Sequence, residues 1–134
     1  MNCLFCKITN KEIPAEIIYE DEDSLGILDV RPRAPGHAMV LPKNHVVTIF
    51  DLELSEIGRV FGGVKKTAEL LKNAFQPDGF TIGINQGAAA GQAIEHLHIH
   101  VIPRYKDDGG GSIHSVVNNP PKESLSEIRD KILK

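Results

Sequence analysis

Three histidines at strict period two, His96, His98 and His100, stand in the run His96-Leu97-His98-Ile99-His100-Val101-Ile102-Pro103-Arg104. In an extended strand such residues point to one face, so the spacing predicts a row of imidazoles with neighbours about 6.5–7 Å apart and Leu97, Ile99 and Val101 turned to a core. A row of imidazoles suits a metal or a phosphate, since imidazole changes charge near neutral pH and serves as nucleophile, proton donor or metal ligand. A merely solvated strand face would accept Lys, Glu or Thr at these positions equally well. A second constellation is Cys3-x-x-Cys6. Two thiolates supply half of a tetrahedral zinc site, with histidines as the obvious remaining donors; a redox pair and two unligated thiols are the alternatives. Neither G-x-G-x-x-G nor G-x-x-x-x-G-K-[ST] occurs, so a phosphate must be held by histidines and nearby amides.

These residues need elements to position them. Asn2 to Asn10 reads as a helical turn around the cysteines, and Ile17–Glu20 with Ser24–Leu28 as a hairpin around an acidic turn. Arg31-Pro32-Arg33-Ala34-Pro35-Gly36 is a proline-punctuated loop, after which His37 to Leu41 resumes as a strand until Pro42. From Ser55 as N-cap, Ile57, Val60, Phe61, Val64, Ala68, Leu71 and Phe75 follow helical spacing up to Pro77. Gly62-Gly63 inside that helix costs about 1 kcal/mol per residue relative to alanine, which suggests close packing against another backbone. Phe80–Asn85 reads as a strand, 86–92 as a small-residue loop and Ala93–Pro103 as the histidine strand, so the three form a hairpin. Three glycines then break the chain before a short amphipathic helix carrying Leu125, Ile128, Ile132 and Leu133. Strands around one long helix, without regular βαβ alternation, indicate an α+β fold with an antiparallel sheet of about five strands and short terminal helices.

At 134 residues the chain is expected to form one domain, 1–134, with a C-terminal tail from about residue 105. Hydrophobic content of 41% and a net charge of −3 describe an ordinary soluble protein without the field that holds nucleic-acid polymers. No stretch approaches the ~18 apolar residues of a membrane span. A cytoplasmic location is expected, where two cysteines favour metal or redox chemistry over a structural disulfide.

The run His96 to Ile102 matches His-φ-His-φ-His-φ-φ, with φ apolar, at every position. Further matching segments are Phe5-x-Lys7-Ile8, Ile13-Pro14-Ala15, Tyr19-Glu20-Asp21, Asp29-Val30-x-Pro32-x-Ala34-Pro35-Gly36-His37, Val40-x-Pro42-Lys43-x-His45, Asn85 and Gly91-Gln92. Over about residues 3–104 the chain thus resembles the histidine triad superfamily of nucleotidyl hydrolases and transferases. The resemblance implies that His98 attacks the α-phosphorus of a nucleotide derivative and forms a nucleotidyl-histidine that water hydrolyses. It implies that a backbone carbonyl in the triad strand orients that ring. His100 and His37 would contact phosphate oxygens or leaving group, and His96 completes the histidine set. Asp29 would accept from the ribose hydroxyls, Phe5, Ile8, Ile13, Leu28 and Val30 would line the base cleft, and Asn85 and Gln92 would lie on the phosphate side.

The resemblance also implies a structural zinc held by Cys3, Cys6, His45 and His96, and a homodimer paired through the long helix and one strand. The expected partner is a purine nucleotide or nucleotide conjugate, with no nucleic-acid polymer and no membrane. One departure stands out. Ala93 occupies the position, three before the triad, where phosphoramidase-type members carry serine. The rival readings are a slow-turnover nucleotide sensor, which Ala93 favours, and a metalloenzyme with His96, His98 and His100 around an open metal. His114 matches nothing in the pattern.

Overall fold

The computed structural model describes residues 2–134. Its centre is a five-stranded antiparallel sheet: β1 (Ile17–Glu20), β2 (Ser24–Leu28), β3 (Ala38–Pro42), β4 (Gly79–Gly83) and β5 (Ile99–Arg104), in the order β1-β2-β3-β5-β4. Three helices accompany it, α1 (Leu4–Thr9), α2 (Leu54–Phe75) and α3 (Leu125–Ile132). This is the α+β architecture that the alternation of patterns predicts.

Strand alternation divides the interior in two. Ala38, Val40, Ile99 and Val101 turn to α2 and pack with Val60, Val64 and Leu71. Met39 and Leu41, with Leu25 and Ile27, turn the other way and pack with Cys3, Phe5 and Ile8 of the α1 segment. Because β3 is covered on both faces, all five of its residues are buried, which is why it reads as a continuous apolar run. The triad histidines share the α1 face of the sheet, opposite the long helix.

The predicted hairpin β1–β2 forms around Asp21, whose Oδ1 accepts from the backbone N–H groups of Asp23 (2.8 Å) and Ser24 (2.7 Å). The long helix begins one residue before Ser55, which is not its N-cap. The Glu56 carboxylate instead reaches back to the Glu53 N–H at 3.2 Å, satisfying one of the first orphan donors. It ends as expected before Pro77, with Gln76 in the left-handed conformation. Of the two glycines, Gly63 is closely packed, though against a side chain rather than a backbone: a Cβ there would collide with Ser24 Oγ and lie 3.2 Å from Ser24 Cβ. A Cβ on Gly62 would meet open space, and nothing in this chain's packing explains that glycine.

Two strand boundaries differ from the sequence reading. β4 stops at Gly83, short of Asn85, and β5 starts at Ile99 rather than Ala93. Ala93 to His98 is irregular because two other partners claim it: Leu97 N–H donates to Val46 O at 2.7 Å, and the His96 ring turns toward the cysteines. The helix α3 is present and amphipathic, with Leu125 and Ile132 exposed and Ile128 half-buried. Among the described residues no helix is long and apolar enough to cross a membrane.

Candidate active site

Two clusters of side chains meet at the start of β5. The first joins α1 to the triad. Cys3 caps α1, its Sγ accepting from the Cys6 N–H at 3.4 Å, and this turn aims both sulfurs toward His45 and His96. His96 Nδ1 lies 3.5 Å from Cys3 Sγ, 3.6 Å from Cys6 Sγ and 3.3 Å from His45 Nδ1, and Cys6 Sγ is 3.3 Å from His45 Nδ1. Zn–S bonds of about 2.3 Å and Zn–N bonds of about 2.0–2.1 Å at tetrahedral angles place neighbouring donors about 3.3–3.8 Å apart. The four donors therefore fit a zinc ion in spacing and in chemistry. The rest of the His96 ring fits as well: Nε2–H donates to the Pro42 carbonyl at 2.8 Å, which leaves the Nδ1 lone pair facing the sulfurs. Burial holds His96 below the ordinary histidine range, favouring the neutral ring that ligation needs. Burial also pushes the Cys6 thiol up, with Cys3 adding to the effect.

The second cluster is a chain of imidazoles. His98 Nδ1 lies 2.8 Å from the His96 carbonyl oxygen and donates to it, so in the neutral ring Nε2 carries the lone pair. The ring is packed edge-on against Phe5, centroids 5.1 Å apart, and against His100 at 5.2 Å. His37 is buried at the mouth of β3, where the Arg33 backbone N–H donates to its Nδ1 at 3.0 Å. That bond assigns the tautomers: a neutral His37 must hold its proton on Nε2, which donates to His100 Nδ1 at 2.9 Å, and a neutral His100 then holds its own on Nε2. Asp29 Oδ2 lies 3.4 Å from His37 Nε2 and 3.8 Å from His100 Nδ1, while Oδ1 accepts from Arg31 N–H at 2.8 Å. Burial pushes both His37 and His100 down, outweighing the opposing pull of Asp29. The spacing of Asp29, His37 and His100 would admit an ion, yet the proton on His37 Nε2 occupies the position a metal would need.

The three triad rings do not converge on one point. His96 faces the sulfurs, His98 Nδ1 a carbonyl, and His100 Nδ1 faces His37, which argues against the open three-histidine metal site. The other predicted residues divide. Phe5 and Ile8 are buried in the α1 core, Ile13 packs against that core, Leu28 against the α2 core, and Val30 is 91% exposed. Asn85 is exposed in the loop after β4. Gln92 is spent on the loop itself: its amide donates to Val47 O and Ile94 O, and its oxygen accepts from Gly87 N–H, so no N–H is left for a phosphate. His114 lies exposed in the tail, outside both clusters.

Sequence reasoning missed the backbone groups that aim these rings, namely Pro42 O and Arg33 N–H, because any residue supplies them. It also missed a tie from just past the motif-bearing residues 3–104. Tyr105 O–H donates to Pro35 O at 2.9 Å, holding the loop that ends in His37. Beneath it Gly36 adopts φ +87°, and a Cβ there would sit 3.0 Å from the Phe75 ring.

Fold and site together define a histidine-triad protein. The chain belongs to the HIT domain family, which matches residues 10–107. It is 48% identical over 128 residues to an uncharacterised HIT-like protein of Methanocaldococcus jannaschii, covering 95% of this chain and 98% of the relative. It is 39% identical over 107 residues to an adenylylsulfatase of Arabidopsis thaliana, covering 80% of this chain and 54% of that one. The crystal structure of a HIT family member from Bacillus subtilis superposes with a TM-score of 0.87 at 34% identity, covering 99% of this chain and 96% of the other. A zinc-bound histidine triad family protein from Mycobacterium smegmatis superposes with a TM-score of 0.76 at 35% identity, covering 96% and 89%.

Proposed function

We propose that the protein cleaves nucleoside monophosphate derivatives, phosphoramidates or dinucleoside polyphosphates among them, through a nucleotidyl-His98 intermediate. The observation that carries this reading is the bond from His98 Nδ1–H to His96 O, which in the neutral ring puts the lone pair on Nε2, available to attack phosphorus. The attack forms an N–P bond as the bond to the leaving group breaks; water then displaces His98 from phosphorus. His100 Nε2–H, fixed by the chain through His37 and Arg33, stabilises charge developing on the phosphoryl oxygens or leaving group.

On this reading Asp29 turns to the ribose hydroxyls when a purine nucleotide enters, and Ile8, Ile13, Leu28 and Val30 flank the base while Phe5 backs the nucleophile. Asn85 reaches the phosphate, and Gln92 shapes the loop beside it. A bound zinc would be held by Cys3, Cys6, His45 and His96 and would supply a fixed structural node; the zinc-bound relative supports it. The protein is a cytoplasmic homodimer of one domain per chain. Supporting the dimer, β4 is an edge strand, and Phe61 of α2 and Ile82 of β4 stay 41% and 42% exposed around a groove of about 410 Å³.

The stereochemical course at a chiral α-phosphorus tests the mechanism. Two in-line displacements give overall retention, whereas inversion would show direct attack by water and remove His98 as nucleophile.

A further inference from the structure

We propose that Tyr105 is a positioning residue of this site: acting through the loop 30–36 and the His37 ring, its hydroxyl holds the proton of His100 on Nε2, the nitrogen turned to the substrate. This deepens the nucleotidyl-transfer reading and rests on it for what His100 does.

The imidazole pair has two arrangements that share the same contact, His37 Nε2 to His100 Nδ1 at 2.9 Å. In one, His37 Nε2–H donates and His100 keeps its proton on Nε2, where it meets developing charge. In the other, His100 Nδ1–H donates, His37 carries its proton on Nδ1, and His100 Nε2 presents a bare lone pair that repels a phosphoryl oxygen. Each ring holds one proton in both arrangements, so passing between them consumes no acid or base. The Arg33 backbone N–H, 3.0 Å from His37 Nδ1, selects the first, because it needs a lone pair on that nitrogen. The placing of one backbone group therefore decides what His100 can do.

The loop that carries this N–H is bonded almost wholly to itself. Arg31 N–H donates to Asp29 Oδ1 at 2.8 Å, His37 N–H to Ala34 O at 3.1 Å and Asp29 N–H to His37 O at 2.9 Å. Among the described residues, the one hydrogen bond that reaches 30–36 from elsewhere in the chain runs from Tyr105 O–H to Pro35 O, at 2.9 Å. Phe75 and Pro103 lie against Gly36, but apolar contact is non-directional and does not fix the turn of a peptide plane. The direction comes from the hydroxyl.

Tyr105 is itself fastened. It directly follows β5, and the turn after it closes on one carboxylate: Asp108 Oδ2 accepts from Tyr105 N–H at 3.0 Å and from Arg104 Nε at 2.7 Å, while Oδ1 accepts from Arg104 Nη2 at 3.1 Å and Gly110 N–H at 3.0 Å. The Arg104 guanidinium, helped by the N–H groups of Tyr105 and Gly110, holds the Asp108 carboxyl far below the usual carboxylate range, so this acceptor stays ionised. The turn also keeps its place beside β4, where Lys106 N–H donates to Asp78 Oδ2 at 2.9 Å. The histidine strand is thus tied to the loop at two points, His100 to His37 and Tyr105 to Pro35.

The test compares the wild type with Tyr105→Phe, which removes the hydroxyl and keeps the ring. In substrate-free protein with isotopically labelled histidine, nitrogen NMR should show His37 unprotonated at Nδ1 and protonated at Nε2 in the wild type. In Tyr105→Phe the two signals should move toward each other as both tautomers are sampled. A neutral hydrogen bond is worth roughly three- to tenfold in an equilibrium, so kcat for adenosine 5′-phosphoramidate should fall by about that factor. KM should change by less than about twofold, since the charge that His100 meets develops in the transition state. In a His37→Asn background, where the side chain is too short to reach His100, Tyr105→Phe should cost nothing further. A wild-type His37 protonated on Nδ1, unmoved signals in Tyr105→Phe, a KM rise as large as the loss in kcat, or an undiminished loss in the His37→Asn background would overturn the role of Tyr105 while leaving nucleotidyl transfer standing. A wild type that turns over neither this substrate nor a diadenosine polyphosphate would overturn the transfer reading, and the NMR comparison would still decide whether Tyr105 sets the His37 proton.

Discussion

His98 is oriented by the backbone of a residue whose side chain serves a different centre: its Nδ1 lies 2.8 Å from His96 O, while the His96 ring reaches Cys3, Cys6 and His45. One residue thus connects the thiol cluster to the candidate nucleophile. The period-two spacing places both rings, and the break in the strand before Ile99 lets them diverge.

Replacing Cys3 and Cys6 together by alanine should remove about one zinc per chain and lower the melting temperature, since metal binding contributes folding free energy directly. Turnover should fall in the same variant, because His96, whose carbonyl orients His98, loses one of its ties and keeps only those to Pro42 O and through Leu97 N–H. Elemental analysis and thermal melts of the same preparations check this. A wild type without zinc, whose melting temperature does not rise when zinc is added, would show that the four donors hold no ion.

His98→Ala should reduce turnover by roughly a thousandfold or more, as for loss of a covalent nucleophile. The melting temperature should move little, since the ring packs at the edge of the core against Phe5 and His100. Nucleotide affinity, measured by calorimetry, should persist. A variant retaining a tenth of the wild-type rate would reject His98 as nucleophile.

The pH dependence follows from His37 and His100, both held below the ordinary histidine range chiefly by burial. The unfolded chain then takes up protons before the folded one does. Their contribution to stability is intact above the ordinary value of about 6.5 and is lost as pH falls below it toward the depressed folded values. Rate and melting temperature should be level from about pH 7 to 8 and decline together on the acid side. His37→Asn should flatten part of the acid decline in stability; an unchanged decline would place the titrating group elsewhere.

Much of this site was legible in the sequence because it depends on residue type at fixed spacing. The triad, the C-x-x-C turn and His37 after a proline loop each require particular side chains, and the structure brings them together. The fold was legible where periodicity was long, as in α2. Strand ends at Gly83 and Ile99 were not, because apolar alternation continues beyond the hydrogen-bonded ladder. Gln92 shows a second limit: an amide in a loop reads the same whether it faces a phosphate or its own backbone.

Gly63→Ala should destabilise the fold by about 1–3 kcal/mol, the usual range for overpacking, because the added methyl meets Ser24 across the α2–β2 contact. Chemical denaturation measures it. A neutral or stabilising effect would mean that α2 can lift from β2 at little cost.

The central claim is the covalent intermediate, and rapid-quench intact-mass analysis tests it most directly. Protein mixed with adenosine 5′-phosphoramidate or a diadenosine polyphosphate and quenched within the first turnover should carry one added adenylyl group, acid-labile and mapping to the peptide that contains His98. The adduct should be absent in His98→Ala. Turnover at the wild-type rate with no adduct at any quench time, or an adduct on another residue, would contradict the account.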